Sequence, residues 1–170
     1  MRKRSAGIVL YRRRGEEIEV LLVHFGGPYW AGKDEGAWTI PKGEYDPALE
    51  AGEAAARREF KEETGQECPG RLGYIGEVEQ GRFKVTDVWM AEGEIDAENV
   101  RSNMVEMEWP RGSGKIERFP EVDRAAWFEL GTARRKLCKS MAPVIELVEQ
   151  KLGREGVGEE KGAGEEEERD

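Results

Sequence analysis

Residues 57–65 read RREFKEETG, and this stretch gathers three glutamates, Glu59, Glu62 and Glu63. Successive residues of a helix turn by about 100°, so positions i, i+3 and i+4 lie on one face. The three carboxylates therefore share a face, although like charges at this spacing cost about 0.2–0.5 kcal/mol per pair. Either cations of the protein or a bound metal ion would offset this repulsion.

Two interpretations of this acidic helix follow from the residues. In the first it is a solvated face, on which Arg58 pairs with Glu62 at i, i+4. In the second the carboxylates bind Mg²⁺, which prefers hard oxygen ligands. The preceding stretch WTIPKGE favours the second, because Lys42 supplies a phosphate-binding charge and Gly43 lets backbone approach a metal or ligand closely. Phosphate-ester chemistry uses such a pairing of metal and lysine.

The composition predicts one domain followed by a charged end. The chain has 170 residues, 38% of them hydrophobic, which is enough for one full core. Residues 153–170 hold eight acidic and three basic residues, so they carry −5 of the net charge of −9. We expect residues 1–152 to fold and residues 153–170, rich in Gly and Glu, to be a disordered tail. An interaction tail is the alternative.

Several classes of site and location are disfavoured. Cys68 and Cys138 are far apart and form no C-x-x-C motif, which argues against zinc and against a disulfide framework. The single histidine, His24, follows an apolar run and suits a packed or hydrogen-bonding role. No segment approaches the roughly 20 apolar residues of a membrane span, and MRKRSAG leads into a strand rather than a signal peptide. We expect a cytoplasmic protein that does not bind membranes. We also expect no binding of long nucleic acid, because the folded part of the chain is acidic overall and has no stripe of basic residues.

Periodicity and turn residues predict an α+β fold. Strands are expected over residues 5–13, 18–26, 73–80 and 83–92, with a short strand at WTIP. A helix is expected from about residue 53 to residue 64, ended by Gly65. Residues 26–36, 41–52 and 94–121 read as irregular, and a helical end follows RAAWFEL. The sequence has no G-x-G-x-x-G or Walker loop, which excludes a Rossmann or P-loop nucleotide site.

Residues 43–65, GEYDPALEAGEAAARREFKEETG, resemble the signature box of the Nudix hydrolase family. That box has a glycine, a first glutamate, and then R-E-apolar-x-E-E-x-G. The similarity extends over residues 5–150, with A-G-I-V-L before the box and E-V-D-R-A-A-W-F after it. The W-T-I-P-K-G-E stretch is most similar to the diadenosine polyphosphate and diphosphoinositol polyphosphate hydrolases of that family. The positions that match the second half of the box are Arg58, Glu59, Phe60, Glu62, Glu63 and Gly65.

The chain departs from the box in its first half. One extra residue lies between Gly43 and the first glutamate, and Leu49 stands where the box has glycine. Glu50 has the expected spacing to Arg58, and we take it as the first glutamate of the box. Glu53, which follows a glycine directly, is the alternative.

The resemblance implies a fold, an activity and a set of metal ligands. The fold is a mixed β-sheet sandwiched between helices. The activity is Mg²⁺-dependent hydrolysis, with Mn²⁺ as a substitute, of a pyrophosphate bond by a metal-activated water. The substrate would be a nucleoside di- or triphosphate derivative, such as an NTP or a dinucleoside polyphosphate. Glu59, Glu62, Glu63 and the carbonyl of Gly43 would bind the metal, and Arg58 would orient the carboxylates. A non-catalytic nucleotide-binding or interaction module on the same fold is the alternative.

The family also implies a further catalytic glutamate from a loop beyond the box. Glu121 and Glu117 are the candidates, with Glu106 and Glu108 as further alternatives. Glu121 is preferred because it lies nearest the segment WFEL that re-enters the fold.

Substrate contacts are expected from residues outside the box. Lys42 is a candidate for the phosphates, and Trp109 with Arg111 offers a stacking surface beside a cation. Trp38 fits either the core or a base-stacking role. A long loop of this kind in a compact domain is usually functional or mobile. We therefore expect residues 94–121 to carry substrate choice.

Overall fold

The structure, a computed structural model, describes residues 2–153, so nearly all of the predicted acidic tail lies outside the described residues. Within that range nine strands and three α-helices are present. The strands are β1 (Lys3–Arg14), β2 (Glu17–Phe25), β3 (Trp38–Thr39), β4 (Lys42–Glu44), β5 (Gly73–Glu79), β6 (Lys84–Glu92), β7 (Met104–Glu108), β8 (Ile116–Pro120) and β9 (Val122–Glu129). The helices are α1 (Gly52–Thr64), α2 (Leu130–Lys136) and α3 (residues 144–153).

Seven of the strands form one mixed sheet. Its central order is β3-β2-β1-β6-β5, with β9 paired to β2 and β4 paired to β1. The β1–β6 pair is parallel, and the other pairs of this sheet are antiparallel. Residues 5–7 of β1 pair with β4, whereas residues 11–14 pair with β2. Strand β6 pairs along one edge of β1. Strands β4 and β2 share the opposite edge of β1, one at each end, so the sheet forks between β4 and β2.

Helices cover both faces of this sheet. On one face Ala6, Ile8 and Leu10 of β1 pack against α1 through Ala55, Ala56 and Phe60. On the other face Val9 and Tyr11 belong to a second core with α2 and α3, which contribute Ala133, Val144, Ile145 and Val148. Alternate residues of a strand point to opposite faces, which accounts for the division of β1 between the two cores. The predicted sheet sandwiched between helices is confirmed.

Helix α1 carries small residues toward the sheet and acidic residues toward one end of β4. Its buried alanines allow close approach, and its C-terminus is capped by Gly65 in the left-handed region at φ 75°. The Gly65 N–H donates to the carbonyl of Lys61 at 2.7 Å. This is the helix end that the sequence predicted, since glycine adopts positive φ without steric cost. The helix begins at Gly52, one residue before the predicted start.

Two predicted irregular segments contain strands. Residues 41–52 include β4, and residues 94–121 include a 3₁₀ turn at Ala97–Asn99 and the hairpin β7–β8. The prediction of one long loop was therefore wrong. Most residues of β7 and β8 are exposed, so neither strand shows the alternation of apolar and polar residues that marks a half-buried strand.

No helix within the described range combines the length and the apolar content that a membrane crossing requires.

Candidate functional site

A polar cavity of about 390 Å³ lies beside β4, close to the fork of the sheet. Five segments far apart in sequence contribute to its walls: β1, β4, α1, β6 and the residue just before β9. Acidic and basic side chains line it together. The lining residues are Ser5, Lys42, Gly43, Glu44, Glu59, Glu62, Lys84 and Glu121.

Arg58 connects three carboxylates at the rim of this cavity. Its Nε and Nη2 donate to the two oxygens of Glu50 at 2.9 and 3.0 Å. Its Nη1 donates to Glu59 Oε1 at 2.7 Å and to Glu62 Oε1 at 3.2 Å. The bidentate hydrogen bond to Arg58 lowers the pKa of Glu50. Of the two candidates for the first glutamate of the box, it is Glu50 that Arg58 binds, and Glu53 is exposed.

Gly43 lies directly against the carboxylate of Glu59. A Cβ built on Gly43 would lie 2.0 Å from Glu59 Oε2 and 2.1 Å from its Cδ. No real Cβ atom tolerates that distance, so any side chain at position 43 would displace the carboxylate. Glycine at this position therefore leaves room for Glu59 to reach β4.

Glu63 and Glu121 bring further negative charge to the same place. Glu63 is 4% exposed and accepts a hydrogen bond from the backbone N–H of Lys42 at 3.1 Å. Burial, followed by the charge of Glu121, raises the pKa of Glu63 well above its ordinary value. Burial also raises the pKa of Glu59, with smaller contributions from Glu62 and Glu121. Glu121 is thus close enough to interact with the carboxylates of both Glu59 and Glu63.

Two lysines stand beside these acids. Lys42 is half-buried, and burial together with the nearby charge of Lys84 lowers the pKa of Lys42 to about 8. Glu63 acts in the opposite direction, because a negative charge favours the protonated lysine. The cavity therefore combines a cluster of carboxylates with a pair of ammonium groups.

The donor set fits a divalent cation chemically. Within residues 2–153 no three acidic, histidine or cysteine side chains converge as ready metal ligands. Arg58 instead holds Glu59 and Glu62 by hydrogen bonds. The acidic side chains that line the cavity nevertheless offer carboxylate oxygens, which suit Mg²⁺ or Mn²⁺ better than a softer metal. Glu59, Glu62, Glu63 and Glu121 are the residues that could hold it, with the carbonyl of Gly43.

The other predicted contacts lie on the hairpin β7–β8. Trp109, Arg111 and Glu117 do not line the cavity. Trp109 stands at the turn, where its backbone N–H donates to the carbonyl of Lys115 at 2.9 Å.

The hairpin approaches the loop of residues 26–36. Met107 Sδ lies 3.6 Å from the position of a Cβ at Gly27. In this loop the ammonium of Lys33 sits 3.3 Å from the centroid of the Tyr29 ring, and Tyr29 is 56% exposed. Lys33, and more weakly Arg111, lower the pKa of Tyr29. The hairpin and the loop thus form one surface with aromatic and cationic groups.

This loop is anchored next to Glu121. The N–H of Gly26 donates to the carbonyl of Glu121 at 2.9 Å. His24 is fully buried; its Nδ1 lies 2.8 Å from Asp123 Oδ1 and its Nε2 2.7 Å from the carbonyl of Lys33. His24 is accordingly a hydrogen-bonding residue of the interior, as its sequence context suggested.

Trp38 belongs to the core. It is 4% exposed, and its Nε1 donates to Asp34 at 2.9 Å. Of the two roles open to it from the sequence, base stacking is therefore excluded by burial.

Sequence reasoning missed Ser5, Glu44 and Lys84 as lining residues. Each lies in a strand of ordinary composition. The alternation of side-chain direction along β1 and β6 could have identified Ser5 and Lys84. Using it requires the pairing register of the strands.

The sequence model of the NUDIX domain matches residues 1–148. The fold is similar to solved structures of low sequence identity. The NUDIX domain of Shewanella oneidensis NrtR, complexed with ADP ribose, is 16% identical with a TM-score of 0.61, over 89% of each chain. A C. elegans Ap4A hydrolase is 23% identical with a TM-score of 0.59, over 89% of this chain and 98% of the other. Shewanella oneidensis NrtR complexed with a 27mer DNA is 18% identical with a TM-score of 0.55, over 88% and 62%. A search of curated proteins found no match.

Proposed function

This chain belongs to the NUDIX domain family, as its sequence resemblance predicted, and from that premise we propose that it is a divalent-metal-dependent pyrophosphohydrolase. Its substrate would be a nucleoside di- or triphosphate derivative, and the bond cleaved would be a phosphoanhydride. Membership of the family supports pyrophosphate hydrolysis in general. The dependence on a metal ion and the class of substrate are proposed in addition to this general activity.

One observation carries this proposal: a single cavity holds the helix carboxylates, Glu121 and two lysines. Carboxylates alone would repel an anionic substrate, and lysines alone would bind it without activating it. A divalent cation held by these carboxylates would neutralise them and so remove their repulsion of the substrate. The lysines then bind the remaining negative charge of the phosphates.

Each residue of the site has a role that follows from its contacts. When bound, Mg²⁺ supplies Lewis acidity at the phosphate and acidifies a water. Glu59, Glu62 and Glu63 would hold the ion with the carbonyl of Gly43. Arg58 would orient the carboxylates and not touch substrate, because most of its N–H groups already donate to Glu50, Glu59 and Glu62.

Glu121 is the candidate for the base. It lines the cavity and interacts with Glu59 and Glu63, whereas Glu117 lies on the exposed strand β8. Its backbone carbonyl accepts from Gly26, which fixes its position relative to the neighbouring loop. A carboxylate held beside the metal ligands can take a proton from the attacking water.

The nucleoside would bind outside the cavity. The surface formed by the 26–36 loop and the hairpin offers Tyr29 and Trp109 for stacking, with Lys33 and Arg111 as nearby cations. Stacking of a base on an aromatic side chain contributes about 1–3 kcal/mol. The loop and the hairpin thus replace the single long loop as the proposed determinant of substrate choice.

A panel of nucleoside di- and triphosphate derivatives tests the proposal. The full chain is incubated with each compound and Mg²⁺, products are identified, and the reaction is repeated with a chelator. Cleavage at an anhydride that stops on metal removal is the expected result. Saturable binding without turnover of any compound would instead favour the ligand-binding module.

Replacing Glu121 by glutamine is expected to lower kcat by about 100-fold, because a general base typically contributes 10²–10⁴-fold. Glu117→Gln is the matched control and should leave kcat within about twofold of wild type. Steady-state rates at saturating Mg²⁺ measure both. Equal effects of the two variants would remove Glu121 from its proposed role.

As the pH rises, the metal-free protein should become less stable, whereas the stabilisation by added Mg²⁺ should increase. Because the folded-state pKa of Glu63 is raised above 4.5, its contribution to stability is full below that pH and is lost as the pH rises through the raised value. The metal-free Tm should therefore fall as the pH rises above about 4.5, whereas the gain in Tm on adding Mg²⁺ should grow. Thermal unfolding across this range measures both, and Glu63→Gln should flatten both trends.

A further inference from the structure

The turn between β4 and α1, residues 45–51, is the part of the signature box in which this chain has one extra residue. We call it the box turn. Residues 46–49 are exposed, so burial does not hold them in place. The carbonyl of Asp46 accepts hydrogen bonds from the N–H groups of Leu49 and Glu50, both at 3.0 Å, and these bonds lie within the turn itself. The position of the box turn therefore depends on the residues at its two ends.

Each end of the box turn is attached to another element. Near its end Glu50 is bound by Arg58 through both carboxylate oxygens. At its start the N–H of Tyr45 donates to the carbonyl of Arg4 in β1 at 3.0 Å. The Tyr45 hydroxyl donates to Asp87 Oδ2 at 2.7 Å, and Asp87 belongs to β6, which pairs with the edge of β1 opposite to β4. Tyr45 thus attaches the turn to two strands, directly after β4 ends.

Asp87 is a fixed acceptor for this hydroxyl. It is 6% exposed and is not among the residues that line the cavity. Arg4 Nη1 lies 2.8 and 2.9 Å from its two oxygens, which supplies the pairing that a buried carboxylate requires. The Tyr74 hydroxyl of β5 also donates to Asp87, at the longer distance of 3.4 Å. A short hydrogen bond to an ionised acceptor is among the stronger ones, so Tyr45 is firmly anchored.

The start of α1 lies against the same hydroxyl. A Cβ built on Gly52, the first residue of α1, would lie 3.0 Å from Tyr45 Oη and 2.5 Å from Trp89 of β6. Glycine therefore lets the helix begin this close to the sheet. The Tyr45 hydroxyl accordingly lies where the box turn, β6 and the first residue of α1 meet.

We propose that Tyr45, held by Asp87, is a positioning residue of the metal site. It fixes the box turn, so that Glu50 stays on Arg58. Arg58 in turn holds Glu59 by its hydrogen bond at 2.7 Å. The extra residue of the box is thereby accommodated without loosening the carboxylates of α1. The effect of Tyr45 on catalysis rests on the proposed hydrolase function, whereas its effect on the box turn does not.

Hydrogen exchange in the metal-free full chain tests the box turn directly. Tyr45→Phe removes only the hydroxyl. Tyr74→Phe is the matched control, because it removes a hydroxyl from the same carboxylate but lies outside the turn. NMR follows two protons that the structure places in hydrogen bonds, the Glu50 N–H and the Arg58 Nε–H. Both should exchange about 10-fold faster in Tyr45→Phe, as expected for loss of a hydrogen bond to a charged group. Tyr74→Phe should stay within about twofold of wild type, since its bond is long.

Metal affinity and turnover supply the second arm. Calorimetric titration with Mg²⁺ should give a Kd about 10-fold higher in Tyr45→Phe than in wild type. At saturating Mg²⁺, kcat should fall about 10-fold while KM for the nucleotide stays within about twofold, because the carboxylates are misplaced and the nucleotide contacts are not. A residue that only stabilised the fold would lower Tm without this division between kcat and KM. Tyr74→Phe should resemble wild type in all three quantities.

The outcomes separate this proposal from the proposed function. Unchanged exchange in Tyr45→Phe, or equal effects of Tyr45→Phe and Tyr74→Phe, would refute the positioning role while hydrolysis stood. Faster exchange with unchanged Mg²⁺ affinity and kcat would also refute it, since the turn would then not act on the metal site. If no compound were hydrolysed but exchange and Mg²⁺ affinity still depended on Tyr45, the hydrolase function would fall and the positioning role would stand.

Discussion

Glutamine at Glu59 or Glu63 is expected to lower Mg²⁺-dependent turnover by at least about 100-fold while leaving the fold intact. Glu59 lines the cavity, and Glu63 accepts a hydrogen bond from the backbone N–H of Lys42, which also lines it. Burial raises the pKa of both carboxylates, so they are costly as anions in the metal-free protein. A protein is expected to keep buried carboxylates of this kind where they bind a cation. Glutamine keeps the shape and one oxygen, but it removes the charge that would hold the metal.

The thermal stability of these variants separates a metal ligand from a structural residue. Without metal, Glu63→Gln should have an unchanged or raised Tm, because the Lys42 N–H can still donate to the amide oxygen. With Mg²⁺, wild type should gain stability and the variant should not.

Glu67→Gln is the control for this pair of variants, since Glu67 is exposed and, among residues 2–153, forms its ion pair with Lys61. It should behave as wild type in rate and in Tm. Turnover at the wild-type level in both Glu59→Gln and Glu63→Gln would exclude the metal site.

Alanine at Gly43 is expected to lower kcat by about 100-fold with little loss of stability. The added Cβ would lie 2.0 Å from Glu59 Oε2, so the carboxylate must move. The atom displaced is the end of a flexible side chain, which can rotate away at small cost to folding. A misplacement of about 1 Å in a catalytic group can nonetheless cost 10²-fold in rate.

Gly73→Ala is the matched control for Gly43→Ala. Gly73 also lies in a strand, and a Cβ there would meet nothing within 4 Å. Its rate and its Tm should equal those of wild type within error. We would measure kcat, the Mg²⁺ dependence of the rate and Tm for both. A fully active Gly43→Ala would show that Glu59 need not reach β4.

Local sequence was sufficient to predict helix α1 and its acidic face. The spacing of Glu59, Glu62 and Glu63 places them together in any α-helix, and Gly65 ends the helix wherever the chain folds. Strands β1, β2, β5 and β6 followed from runs of β-branched and aromatic residues, because such residues fit a pleated, half-buried surface. Strand β9, of eight residues, was not predicted. These features depend on neighbours within a few residues along the chain.

Segments without a buried face were beyond such reasoning. The hairpin β7–β8 was predicted as loop, because its strands are largely exposed and polar and so carry no period-2 pattern. Strand β4 was missed for a similar reason, being only three residues long. The strands of the hairpin and strand β4 are each stabilised by pairing with another strand. The local sequence pattern does not indicate that pairing.

The composition of the cavity was decided by tertiary structure alone. The sequence favoured Glu50 over Glu53 by its spacing to Arg58, and the structure adds that Arg58 hydrogen-bonds both oxygens of Glu50. Ser5 and Lys84 come from β1 and β6, about eighty positions apart, and meet because those strands pair in parallel in one register. Strand register is set by the burial of whole faces, and a shift of one residue between β1 and β6 would place Ser5 and Lys84 on opposite faces of the sheet.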